Sequence, residues 1–197
     1  VLNTVPEKYD VIASEPSNPY RAGIASLFTK EFYEEVRDRL NPGGLFVSWC
    51  QAYEIDTETV FRIIATLKSV FPYVECWASQ SADLVFITSM EPINPDPAAL
   101  AARLRSEPFN DAMRIAWGMG GLEWFVSRYL AGNEVIEEAV KAKELGINTD
   151  ALMKVDYDYA RTVGRTPKFT TMDFHHAAIA RRPARPGSPR SPRAGCP

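Results

Sequence analysis

Two short stretches carry side chains that could do chemistry. The first, Ser14-Glu15-Pro16-Ser17-Asn18-Pro19-Tyr20, follows a β-branched apolar run; the second, from Trp49 to Glu54, follows another. Between them they hold Glu15, Ser17, Asn18, Tyr20, Gln51, Tyr53 and Glu54. Carboxylates, amides and aromatic rings suit a cationic amine, through charge pairing, directed hydrogen bonds and cation–π contact. A carboxylate so placed can also take up the proton an amine sheds when it attacks an electrophile. A solvated loop acid is the competing reading of Glu15, and spacing alone does not choose between the two.

The flanking elements must bring the two stretches together. Tyr9-Asp10-Val11-Ile12-Ala13 reads as a buried strand that ends in the Pro-rich first stretch. In the run Ser26 to Leu40, Phe28, Phe32, Val36 and Leu40 recur every fourth residue and share one helix face. Thr29 is placed to cap that helix, with Glu31 in its first turn. Asn41-Pro42-Gly43-Gly44 stops it, and Leu45-Phe46-Val47-Ser48-Trp49 is a second strand. Asp56 or Thr57 caps another helix, whose apolar side is Val60, Phe61, Ile63, Ile64, Leu67, Val70 and Phe71, and Pro72 ends it. Val74-Glu75-Cys76-Trp77 and Leu84-Val85-Phe86-Ile87-Thr88 are two more strands, joined by the polar turn from Ser79 to Asp83.

This β-α-β-α-β-β order predicts an α/β fold: a partial Rossmann-like sheet, mostly parallel, closing on an antiparallel hairpin. The last connection is too short for a parallel crossover. In such a sheet, ligands bind beyond the carboxyl ends of the strands, where both stretches would lie. About four strands are found where a complete doubly wound sheet has roughly six. The Gly-rich nucleotide-binding turn expected after the first strand of such a fold is not in the sequence.

Composition narrows the function classes. The chain has 197 residues with 46% hydrophobic and 24% charged, which is ordinary globular usage. A net charge of -3 gives no prior for nucleic acid. No apolar run approaches the ~18 residues of a membrane helix, and the first residues do not read as a signal peptide. The absence of an initial Met reads as a piece of a longer protein. Cys50 and Cys76 fall within apolar stretches and Cys196 lies at the end, a pattern of neither a disulfide framework nor a zinc site. Reduced thiols fit a cytoplasmic location.

Beyond residue 90 the sequence divides in two. Residues 91–180 read as a helical extension, with helices near 97–106, 109–130 and 133–145. Gly118-Met119-Gly120-Gly121 interrupts the middle one; it follows a helical pattern, so a kink or a helix–helix turn is expected rather than a phosphate loop. His175-His176 are adjacent and point apart, an awkward pair for a metal, and no metal site is expected. Residues 181–197 hold five Arg, five Pro and no acid, and should be disordered.

Several stretches resemble a known family. They are Glu7-Lys8-Tyr9-Asp10-Val11-Ile12, Ser14-Glu15-Pro16-Ser17-Asn18-Pro19, Ser26 to Tyr33, and Leu40-Asn41-Pro42-Gly43-Gly44. Residues 1–90 so read as the C-terminal half of a spermidine synthase (polyamine aminopropyltransferase) catalytic domain. The resemblance is greatest to bacterial relatives in which such a domain follows a transporter-like membrane segment. Asn148-Thr149-Asp150 with Val155-Asp156-Tyr157 is similar to the closing segment of those relatives.

The resemblance implies an S-adenosylmethionine methyltransferase-like fold. It also implies transfer of an aminopropyl group from decarboxylated S-adenosylmethionine to a polyamine such as putrescine, with no tightly bound cofactor and no nucleic acid partner. The family's loop reads Asp-Ser-Ser-Asp-Pro. Its first Asp accepts the amine proton and its second helps hold the amine; Glu15 and Asn18 fall on those positions. Glu15 keeps the charge one methylene further out, whereas Asn18 loses it. Ser17, Asn18, Tyr20, Trp49, Gln51 and Tyr53 are then the substrate contacts. Ser14, Ser26 and Leu27 are left to touch the co-substrate. The resemblance leaves room for a homodimer and for a membrane segment upstream. Two other readings stand beside it. Asn18-Pro19-Tyr20 is faintly similar to the Asn-Pro-Pro-Tyr loop of amino-methyltransferases, which use intact S-adenosylmethionine. The altered acidic positions would also suit a non-catalytic sensor or interaction domain.

Overall fold

The structure, a computed structural model, describes residues 4, 6–16, 23–53, 55–79, 83–162, 164–165, 169–174 and 176. His175 and the Arg- and Pro-rich residues 181–197 lie outside the described residues. Strand β1 (Tyr9–Ser14) leads through a 3-10 turn (Ile24–Phe28) into helix α1 (Lys30–Asp38) and strand β2 (Leu40–Gln51). Helix α2 (Thr57–Lys68) and the hairpin of β3 (Tyr73–Ala78) and β4 (Asp83–Ser89) follow. The α/β class and the β-α-β-α-β-β order expected from the sequence are both observed.

The caps act where the sequence places them. Thr29 Oγ1 accepts from the Phe32 amide at 3.4 Å, so α1 begins at Lys30 and the residues before it form the separate 3-10 turn. Asp56 Oδ1 accepts from the Thr59 amide at 2.8 Å. Each bond satisfies a first-turn amide that has no partner within its helix.

Strand order is β1-β2-β4-β3-β5, with β1 parallel to β2 and β4 antiparallel to both of its neighbours. Strands β1, β2 and β3 therefore point the same way. The sheet expected to be mostly parallel is instead mostly antiparallel: because β4 slots between β2 and β3, β1–β2 is the one parallel pair among the described strands. That insertion sets Asp83, the first residue of β4, opposite Gln51, the last of β2.

The helix expected over 109–130 is instead two helices and a strand: α4 (Phe109–Trp117), α5 (Leu122–Val126) and β5 (Tyr129–Ala131). Gly118 and Gly121 adopt φ of 71° and 96°, a backbone that L side chains rarely accept, and the helix ends on the first of them. Periodicity ran on across the break because Phe125 and Tyr129 both pack on Trp77, one from a helix and one from a strand, with ring centroids 5.0 and 4.9 Å away. Helix α3 (Pro97–Arg105) precedes this region, and α6 (Asn133–Lys143) and α7 (Lys154–Thr162) follow it.

One core joins the two halves of the chain. Phe46, Cys50 and Phe86 of the sheet, Tyr33 and Val36 of α1, and most of α2 are buried together with Ile136, Ala139, Val155, Tyr159 and Phe174. Every residue of α2 from Thr59 to Leu67 is buried, because the sheet lies on one side and α6 and α7 on the other. That run includes a charge, Arg62, whose Nε bonds Asp158 of α7 at 2.8 Å and whose Nη1 donates to the Gly146 carbonyl at 2.9 Å.

Asn148 is the other fixed point. Fully buried, it donates from Nδ2 to the Phe28 carbonyl at 3.1 Å and accepts the Val155 amide at 3.1 Å. Its backbone amide donates to Thr66 Oγ1 at 2.9 Å, and its carbonyl accepts from the Lys30 amide at 2.9 Å. One residue thus ties the 3-10 turn, α1, α2 and α7 together. Asn148→Ala would orphan two buried backbone groups, and we expect it to destabilise the fold by about 2 kcal/mol or more. Urea denaturation checks this; a midpoint unchanged from the parent would show those groups finding other partners.

Candidate functional site

The candidate site lies where β1 and β2 end. Ser14 pairs with Ser48, so Glu15 emerges just past the ladder, level with Trp49. By strand alternation, Glu15 falls on the face of Ala13, and Ala13 is opposite Val47; Val47, Trp49 and Gln51 follow on that same face. Asp83, opposite Gln51, completes the group. The site is thus assembled from two parallel strand ends and the start of an antiparallel one.

Asp83 is the residue that sequence reading left as a turn acid. Burial lifts its carboxyl above the usual aspartate range, a hydrogen bond with the Trp49 side chain pulls it down, and the charge of Glu15 pushes it up. The interaction with Glu15 means two carboxylates share this end of the sheet, with the Trp49 indole beside one of them. Two acids and an aromatic ring form an anionic, partly apolar rim suited to an ammonium group. Knowing that β4 inserts beside β2, rather than beyond β3, is what would have revealed Asp83.

Gln51 is not a surface contact. It is fully buried, its Nε2 donates to the Tyr53 carbonyl at 3.3 Å, and its Oε1 has no hydrogen-bond partner among the described residues. Tyr53 itself is 41% exposed at the rim. Ser26 donates to the Gly23 carbonyl at 2.6 Å, and Leu27 is half-buried in the same 3-10 turn. Ser17, Asn18, Tyr20 and Glu54 lie outside the described residues.

Beneath the rim is a layer of buried neutral groups. Tyr159 of α7 reaches under β2, its hydroxyl 3.4 Å from the Gln51 carbonyl and 3.6 Å from Cys50 Sγ. Tyr33 and Ser48 bring further buried hydroxyls. Burial pushes the Tyr33 and Tyr159 phenols well up, and takes the Cys50 thiol up to about 12. None of these groups ionises near neutral pH, so they act as hydrogen-bonding supports and the proton-accepting chemistry falls to the rim carboxylates. Sequence reading missed Tyr159 because nothing in Val155-Asp156-Tyr157 signals that α7 packs under β2.

Cys50 is accordingly expected to be inert, since the thiolate is the reactive form. Cys76, also buried, has its thiol raised in the same way. Treatment with a disulfide reagent at pH 8 followed by peptide mapping should leave both unmodified in native protein and label both in urea. Rapid native labelling of Cys50 would contradict the buried layer.

Known proteins supply the remaining observation. The spermine/spermidine synthase domain family model matches residues 1–82, the segment that builds the strand ends. This segment is similar to the spermidine synthase family. A polyamine aminopropyltransferase of Synechococcus sp. is 34% identical over 96 residues, which is 45% of this chain and 31% of that protein. One from Aeropyrum pernix is 38% identical over 72 residues, 35% of this chain and 22% of the relative. One from Saccharolobus islandicus is 35% identical over 71 residues, 36% and 24% of the two chains. The chain thus spans less than a third of the length of these relatives. A solved structure of a probable spermidine synthase from Corynebacterium glutamicum covers 58% of this chain and 47% of that one, at 18% identity and a TM-score of 0.38. No helix among the described residues is long and apolar enough to cross a membrane.

Proposed function

We propose that the strand ends form the amine-facing part of an aminopropyltransferase site. The observation that supports this reading is that Glu15, past the carboxyl end of β1, lies level with Trp49 of β2 within the segment matched by the family model, with Asp83 of β4 just beyond that segment and opposite Gln51. The acceptor is a polyamine such as putrescine, and the donor is decarboxylated S-adenosylmethionine.

The proposed reaction is a single in-line displacement. The amine lone pair forms a C–N bond to the carbon next to the sulfonium. The C–S bond breaks, and its electrons leave on sulfur as a neutral thioether. The new ammonium gives up a proton to the Glu15 carboxylate. Positioning supplies much of the acceleration, because a near-attack geometry replaces a bimolecular encounter. General-base transfer adds to it. Asp83 adds a second carboxylate at the same end of the sheet, and Trp49 offers an aromatic ring to the cation.

Competition between donors tests the reading. The longest open frame that encodes this chain, incubated with putrescine and equal amounts of decarboxylated and intact S-adenosylmethionine, should yield spermidine and methylthioadenosine in equal amounts. A methylated amine with S-adenosylhomocysteine would instead make the site a methyltransferase. Absence of both products would favour a binding domain.

A further inference from the structure

On the opposite edge of the sheet from β1, two hollows of about 450 and 420 Å³ meet at Glu75 and Tyr129. The connection from β4 to α3, carrying Ile93 and Asn94, borders both. Glu75 of β3 lies on the floor. Its Oε2 accepts from the Trp77 indole at 3.3 Å and its Oε1 from the Tyr129 hydroxyl at 3.5 Å. The two rings stand edge to face, with centroids 4.9 Å apart and planes at 72°. No described Lys or Arg pairs with this carboxylate, and burial lifts it above the ordinary glutamate range.

The walls differ on the two sides of Glu75. One hollow is largely apolar, lined by Trp77, Leu100, Leu122 and Val126. The other carries Asn133 and a second acid, Glu134. Room for the Tyr129 hydroxyl depends on Gly132, since a side chain there would strike it. The carboxylate is therefore oriented by two donors, flanked by aromatic rings, continued by an apolar trough and left without a counter-charge among the described residues. Charge pairing and ring faces together recognise an ammonium head, and the trough takes a hydrocarbon body.

We propose that this groove is a second organic-cation site, taking an aliphatic ammonium with its head on Glu75 and its chain along Trp77. It stands apart from the aminopropyl transfer reading: it uses the β3–β5 edge and neither Glu15 nor Asp83.

The test uses the whole 197-residue chain, labelled with nitrogen-15, and follows the Trp77 indole resonance during titration with n-hexylamine at pH 7. A saturable shift in the millimolar range is expected, with 1-hexanol giving none. Glu75→Gln should weaken binding by about tenfold or more. Tyr129→Leu should weaken it several-fold, and decides the matter if the Gln variant does not fold. Glu15→Gln should leave it unchanged. A Trp77 resonance that does not move, that moves equally with hexanol, or that reports parental affinity in the Gln variant overturns the proposal. A shift confined to the Trp49 indole places the amine at the strand ends, which also overturns the groove while leaving the proposed function intact.

Discussion

Glu15→Gln is expected to lower amine-dependent turnover by roughly a hundredfold or more, the usual contribution of a positioned proton acceptor. The fold should be barely affected. Glu15 is exposed past the end of β1, and its one described electrostatic effect is to raise Asp83. Removing that charge relieves Asp83, so thermal stability near neutral pH should hold or rise slightly. Activity and stability thus separate, which a structural role for Glu15 would not produce. Glu15→Asp offers a second readout. It restores the side-chain length that the resemblance assigns to this position but withdraws the carboxylate by one methylene. If the surrounding loop is built for glutamate, a displacement of about an ångström can itself cost a hundredfold. If the loop tolerates either, Asp should recover most of the rate. Steady-state assay of both variants with saturating donor distinguishes these outcomes, and parental turnover in the Gln variant would remove Glu15 from the chemistry.

The second large effect concerns stability. Asp158→Ala is expected to destabilise the protein by about 3–5 kcal/mol, because it leaves the Arg62 guanidinium buried without its counter-ion. Both side chains are nearly inaccessible, at 10% and 9% exposure, so solvent does little to offset the loss. Arg62 keeps its bond to the Gly146 carbonyl, which satisfies one donor and none of the charge. The exposed Arg161, 3.1 Å from the other Asp158 oxygen, loses little when its partner goes. Replacing Arg62 and Asp158 together by Leu and Val should cost much less than Asp158→Ala alone, since the isolated charge goes with its partner. Chemical denaturation of single and double variants measures the difference. Equal losses would mean that the packing of α7 on α2, rather than the ion pair, is what Asp158 supports.

The sequence disclosed the parts of this fold whose physics is local. Thr29 and Asp56 announced their helices because a capping oxygen acts within three residues. The short Ser79–Asp83 connection fixed the direction of β4 relative to β3, whereas the expected stop at Asn41-Pro42-Gly43-Gly44 was misplaced: α1 ends at Asp38, and Leu40 to Gly44 already belong to β2. What stayed hidden was long-range pairing. Nothing near Asp83 says that β4 lies against β2, and so the acid opposite Gln51 looked like part of a solvated turn. Tyr129 sat in a pattern continuous with α5, and only its pairing with Trp77 reveals a strand. Gln51 looked like a polar loop residue able to touch substrate, whereas the structure buries it and turns its amide to Tyr53. Asn148 and Tyr159 act on elements more than 80 residues away, at Thr66 and Gln51. For the candidate site, residue types pointed to an amine, and the resemblance supplied the reaction.

Carbon-13 observation of the side-chain carboxyls, while putrescine is added to the chain, asks whether an amine meets the acid at the end of β1. The Glu15 carboxyl resonance should move to saturation, with Asp83 following through their electrostatic contact. A Glu15 resonance that stays fixed while other carboxyls titrate would mean that the amine binds elsewhere, and the strand-end site would fall.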